Sequence, residues 1–126
     1  MTRKFVQLGE VKDYTNASGS TITAGSVVKM SHMLGVALGD IANGATGPVK
    51  VTGVFQSVPK VSAAVFVVGE KLLWDVSANS GAGAFDDSSA TPASGDVMGA
   101  AVAWLAGADG ETTCTVLLTP GNATLS

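Results

Sequence analysis

The stretch Gly47-Pro-Val-Lys-Val-Thr-Gly-Val-Phe-Gln-Ser-Val-Pro-Lys60 decides the fold, together with its continuation at Gly69-Glu-Lys-Leu-Leu-Trp-Asp75. Val49, Val51 and the pair Val54/Phe55 alternate with Lys50 and Thr52, the two-residue period of a half-buried strand. Gly53 breaks that period by one position, so the strand is expected to bend there, as glycines inside strand patterns do at bulges and close approaches. Pro59 ends the run because it has no N–H to give to a ladder. A second apolar run, Val65 to Val68, leads through Gly69 to a strand carrying Leu73 and Trp74.

Outward from this centre the chain is a series of short strands and glycine turns. Val11 to Tyr14 reads as a polar strand, followed by a turn at Asn16 to Ser20. Thr21 to Met30 is a strand interrupted by a turn at Ala24-Gly25, and Leu34 to Leu38 is another. Asp40 to Gly47 is a glycine-rich loop. The one credible helical turn lies around residues 60–66. Asn79 to Gly95 is a long loop of Ser, Gly, Ala and Asp whose one large apolar residue is Phe85, and such loops are usually exposed. Val97 to Leu105 and Thr112 to Thr119 close the series. The order Gly25-Ser-Val-Val, Leu34-Gly-Val-Ala, β-rich strand recurs as Gly69-Glu-Lys-Leu-Leu, Met98-Gly-Ala-Ala, β-rich strand, which suggests two related β-units. The expectation is an all-β small barrel or sandwich, with an N-terminal arm at 1–8, one β domain at 9–120 and a tail at 121–126.

Composition bounds the function. At 126 residues the chain is long enough to bury roughly two-thirds of its unfolded surface without a metal or disulfide. Only 13% of residues are charged and 46% are hydrophobic, against about 25% charged in an ordinary soluble domain. Two readings account for the excess: apolar surface committed to other chains, or a monomer coated with Ala, Gly, Ser and Thr. A net charge of −3, with basic residues spread from Arg3 to Lys71 and none after, argues against nucleic acid as a partner. The N-terminus lacks the apolar core of a signal peptide. The longest small-apolar run, Met98 to Ala108, is short of the roughly 20 residues that span a bilayer, so no membrane partner and synthesis in the cytoplasm are expected.

No reaction site emerges, and no cofactor or metal is expected. His32 has no second histidine or cysteine at ligand spacing. Asp86-Asp87-Ser88-Ser89 lacks the spacing and distal Glu of a calcium loop. Cys114 stands alone in a strand beside threonines, with no base to activate it. The carboxylates lie near turns, unpaired. Asn16-Ala-Ser and Asn122-Ala-Thr match a glycosylation triplet that has no meaning without a secretory route. Trp74 and Trp104, with Leu73 and Leu105 beside them, read as core or subunit-interface residues, as do Val54 and Phe55.

These pieces resemble a group of small bacteriophage and prophage head proteins, the capsid cement or decoration proteins. The resemblance rests on Ala24-Gly-Ser-Val-Val28, Leu34-Gly-Val-Ala-Leu38, Val49-Lys-Val-Thr-Gly-Val-Phe55, Val58-Pro-Lys60, Gly69-Glu-Lys-Leu-Leu-Trp-Asp75 and Met98-Gly-Ala-Ala-Val102. Each motif is weak, and their order and spacing carry the match from about Val6 to Thr119. The departures are Gly99-Ala100-Ala101 for a second Gly-Val-Ala, Leu73 where a Tyr is common, and a longer 79–95 loop. The resemblance implies a non-enzymatic virion protein on the outer surface of an expanded icosahedral shell, stabilising it against internal DNA pressure. Its partners would be the major capsid protein of a tailed phage and itself, as a homotrimer or a dimer. Arg3, Lys4, Phe5, Val6, Gln7 and Leu8 are the candidate capsid-contact arm, able to add a strand to an exposed sheet edge. The other function considered is a surface-display module binding a host receptor or glycan, which requires Trp74 and Trp104 exposed in one groove. A small hydrolase would require His32 gathered with two carboxylates.

Overall fold

A computed structural model describes residues 7–126. Arg3, Lys4, Phe5 and Val6 of the expected arm lie outside the described residues, while Gln7 and Leu8 are exposed. The first sheet holds β1 (Val11–Thr15), β2 (Val27–Met30), β3 (Met33–Ala37) and β4 (Thr46–Lys50), in the order β1-β4-β3-β2. The second holds β5 (Gly53–Pro59), β6 (Lys71–Asp75), β7 (Ala84–Asp86), β8 (Val97–Ala103), β9 (Thr113–Leu118) and β10 (Thr124–Leu125), in the order β5-β9-β8-β6-β7 with β10 on β8. Every strand pair is antiparallel, and the all-β expectation is met.

The two-unit echo in the sequence is a repeat of topology. In each unit the first strand pairs with the last of a three-strand meander: β1-β4-β3-β2 in unit one, β5-β9-β8-β6 in unit two. The connecting turns repeat as well. Ile22 and Ile41 exchange two backbone hydrogen bonds of 2.9 and 2.8 Å, as Phe66 and Gly107 do at 2.9 and 3.1 Å. Gly25 N–H donates to Ala37 O and Ala37 N–H to Ser26 O; likewise Gly69 N–H donates to Ala103 O and Ala103 N–H to Glu70 O. Unit two carries β7 and β10 in addition.

Each unit also buries one polar side chain where its first strand ends. In unit one, Asn16 is fully buried; its Nδ2 donates to Ser20 O and Ile41 O, and its Oδ1 accepts from the amide and hydroxyl of Ser18. All four hydrogen-bonding valences of the amide are thus used. In unit two the position belongs to Lys60, whose Nζ donates to the carbonyls of Val61, Ser62 and Glu111. The main core lies in unit two, around Phe66, Leu72, Trp74, Phe85, Val97 and Val116, and Leu34 of unit one packs into it. A smaller cluster of Val28, Ala37, Ile41 and Val49 fills unit one.

Four expectations need correction. The single bent strand through Gly53 is two strands in different sheets. The chain leaves β4 at Lys50, crosses at Val51-Thr52, and restarts at Gly53 with φ +112°. The bulge sits later, between Phe55 and Val58, where Ser57 takes φ +60°. The segment around 60–66 makes a reverse turn closed by Ala64 N–H to Val61 O, and the short 3-10 turn is at Asn79–Gly81. The 79–95 segment is no free loop, because Phe85 is fully buried with its ring 4.8 Å from that of Trp74 in an edge-on arrangement. Its far end is held by buried Asp96, whose carboxylate accepts the amides of Val76 and Ala93. The 121–126 tail supplies β10, and Ser126 exchanges backbone bonds with Gly95 and Asp96.

Candidate interaction surface

Strands β5, β9 and β8 present an apolar outer face. Val54 lies opposite Leu117, and Leu117 opposite Val102, so the three form one cross-strand row on the solvent side of the sheet. Trp104 follows two residues after Val102 on that side, its amide bonded to Thr115 O, and is half exposed. Phe55, the neighbour of Val54, faces inward and packs on the core. The expected Val54/Phe55 pair is therefore divided between the two faces of the sheet, as alternation requires.

The rim of this face is the turn after Phe66. The Phe66–Gly107 bridge and the Gly69–Ala103 bond bracket Val67-Val68 on one side and Trp104 to Ala106 on the other. Glu70 tightens the turn by accepting the Val67 amide and reaches across to the amide and hydroxyl of Ser88. Its carboxyl is only slightly buried, which raises its pKa; the hydrogen bonds from the Ser88 side chain and amide and the Val67 amide outweigh this and hold it below the usual carboxylate value. Among the described residues eight large hydrophobic side chains are exposed, and six of them lie here: Val54, Val65, Val67, Val68, Trp104 and Leu105. A shallow depression of about 200 Å³ runs along the edge between Gln56, Leu105, Glu111 and Thr115.

Sequence reasoning named Val54 and Trp104 as core or subunit-interface candidates and read Val65 to Val68 only as an apolar run leading into the strand of Leu73 and Trp74. The usable signal was the repeat: Thr21-Ile-Thr-Ala-Gly25 occupies the same turn in unit one, so Val65, Val67 and Val68 align with surface positions. Trp74 is 4% exposed and Trp104 50%, so the two do not share the groove that a receptor- or glycan-binding surface requires. His32 is exposed and meets Ser31 Oγ at 3.2 Å. No group of three or more His, Cys, Asp or Glu fit to hold a metal occurs among the described residues, and no helix there is long and apolar enough to cross a membrane.

Cys114 is buried against Pro59 O. Burial pushes its thiol up to about 12, against the pull of the Lys60 charge and with a smaller push from Glu111. The native thiol is expected to resist iodoacetamide at neutral pH and to react promptly in denaturant; labelling of the folded chain at the unfolded rate would contradict this. Because the raised folded pKa favours the neutral thiol, its contribution to stability is present below about 9 and is lost as pH rises toward about 12.

Among the described residues, an exposed apolar sheet face of this kind marks a surface for interaction with another molecule. The sequence model of the phage cement proteins matches residues 6–118, and the chain belongs to that family. Membership gives it a structural role in association with a phage capsid. No curated protein and no solved structure matches the chain.

Proposed function

We propose that this protein decorates the outer surface of the expanded icosahedral shell of a tailed phage and stabilises that shell, acting as a homotrimer made in the host cytoplasm. The observation that carries the reading is the family match, together with an apolar sheet face left uncovered on a charge-poor chain. Many copies on a symmetric lattice gain avidity, so no single contact has to be tight. The major capsid protein is the partner, and residues Arg3 to Leu8 are the capsid-contact arm. The alternation from Phe5 to Leu8 suits addition to an exposed sheet edge.

The test is co-sedimentation with expanded and unexpanded empty shells, followed by thermal disruption of the loaded shells. The full chain is expected to bind expanded shells and raise their disruption temperature. Deleting residues 1–8 is expected to weaken binding at least about tenfold, or about 1.4 kcal/mol per site. Unchanged affinity of the truncated chain would remove the arm from the proposal, and failure of the full chain to bind expanded shells would remove decoration itself.

A further inference from the structure

The turn Ala42-Asn43-Gly44-Ala45 of unit one holds the only Asn-Gly pair in the chain; Asn16, Asn79 and Asn122 are followed by Ala, Ser and Ala. An asparagine side chain is open to attack by the backbone nitrogen of the next residue, and glycine, with no Cβ, leaves that nitrogen unshielded. Both residues of the pair are exposed, so water reaches them. The turn is closed by Ala45 N–H to Ala42 O at 2.9 Å, with φ +84° at Gly44 and no positive φ at Asn43. That combination is a type II turn. Three further bonds tie it to the loop after β1: Gly44 N–H donates to Asn16 O at 2.7 Å, Asn16 N–H to Ala45 O at 2.9 Å, and Gly19 N–H to Asn43 Oδ1 at 3.0 Å. The nitrogen that would attack and the side chain that would be attacked are each held by a partner from that loop.

We infer that Asn43 is a site of spontaneous, backbone-assisted deamidation that the native fold keeps shut, so that it reacts only when this corner of unit one opens. Attack forms a bond from Gly44 N to Asn43 Cγ; the Cγ–Nδ2 bond breaks, and the side-chain nitrogen leaves as ammonia with the proton of the Gly44 amide. Water then opens the resulting cyclic imide at either carbonyl, leaving aspartate or isoaspartate at position 43. Closing the ring swings the Gly44 nitrogen toward the Asn43 side chain and away from Asn16 O, so that hydrogen bond has to break first. Unit two shows which product the fold accepts. Its equivalent turn, Ala108-Asp109-Gly110-Glu111, already carries aspartate: Glu111 N–H donates to Ala108 O at 3.2 Å, and Gly110, at φ +94°, donates to Ser62 O at 2.6 Å. Aspartate at 43 fits that backbone and keeps an acceptor for Gly19 N–H. Isoaspartate lengthens the main chain by a methylene inside the turn, so the Ala45–Ala42 bond and the ties to Asn16 cannot all re-form.

The experiment is incubation of the purified full chain at mildly alkaline pH, native and in denaturant, with peptide mapping by mass spectrometry to locate the change and separate aspartate from isoaspartate. Hydrogen exchange at the Gly44 amide is measured on the same native chain. In denaturant Asn43 is expected to react before Asn16, Asn79 and Asn122. In the native chain it is expected to react at least about tenfold more slowly, by the same factor that protects the Gly44 amide from exchange, since one local opening gates both. Asn43→Asp is expected to keep the native circular dichroism and melting temperature. Native deamidation at the denatured rate, an unprotected Gly44 amide, a slowing that does not match the exchange protection, or faster reaction at another asparagine would overturn the inference, as would an Asn43→Asp variant that fails to fold. None of these measurements involves shells, so the capsid proposal stands or falls separately.

Discussion

Lys60→Met is expected to lower the unfolding free energy by about 3 kcal/mol, with a fall in melting temperature of roughly 10 °C. Lys60 is 4% exposed, and no carboxylate among the described residues forms an ion pair with it. Its ammonium is held by three carbonyls, Val61 O at 2.9 Å and Ser62 O and Glu111 O at 3.3 Å, with the Phe66 ring 5.3 Å away. Methionine keeps the length and apolar stem but provides no donor. Val61 O and Glu111 O then lose this donor, while Ser62 O keeps the Gly110 amide, and each buried orphan costs on the order of 1–3 kcal/mol, less where water reaches it. The loss falls on the link between the Val61–Ala64 turn and the 107–112 loop, where Gly110 N–H donates to Ser62 O. Denaturant unfolding gives the stability, and hydrogen exchange at Gly110 shows whether this link opens first. A Met variant as stable as the wild type would mean that desolvating the ammonium cancels its three hydrogen bonds, as happens at some buried ionic sites.

Gly83→Val should cost still more, at least about 4 kcal/mol, enough to prevent folding of a marginally stable domain. Gly83 has φ +91°, a region that β-branched residues scarcely enter. A Cβ there would overlap the six-membered ring of Trp74, which is 4% exposed and fixed edge-on against Phe85. Neither ring can yield, because Ala84, Phe85 and Leu72 around them are buried to within 1% of exposure. Gly81→Ala is the control: the same φ of +91° with open space at Cβ, so only the backbone term of about 1–2 kcal/mol applies. Equal losses in the two variants would show that the Trp74 contact relaxes freely; a much larger loss at Gly83 is the expected result.

Much of the fold was legible in the chain, for a local reason. Alternation over two residues, glycine at turns and proline at Pro59 act through neighbours in sequence, so strands β1, β2, β3, β8 and β9 were placed to within a residue or two. The repeat was legible because it is a repeat of these same local signals. The crossing from β4 to β5 was not, since Val49, Val51 and Val54 alternate alike whether their strands share a sheet or not. The 79–95 segment misled for a related reason. Its composition is that of a loop, and one aromatic, Phe85, is enough to draw it into the core once Trp74 stands opposite.

The candidate surface divides in the same way. The apolar excess, the shortage of charge and the concentration of acid after Lys71 are properties of the sequence alone, and so is the order of motifs that leads to the cement family. Which apolar residues face outward was decided only by the tertiary structure. Trp74 and Trp104 each follow a leucine or alanine in a strand pattern, yet one is buried and the other half exposed. Burial depends on what lies across the sheet: Leu34 and Val27 of unit one pack against the core of unit two, while among the described residues nothing covers the equivalent face of unit two.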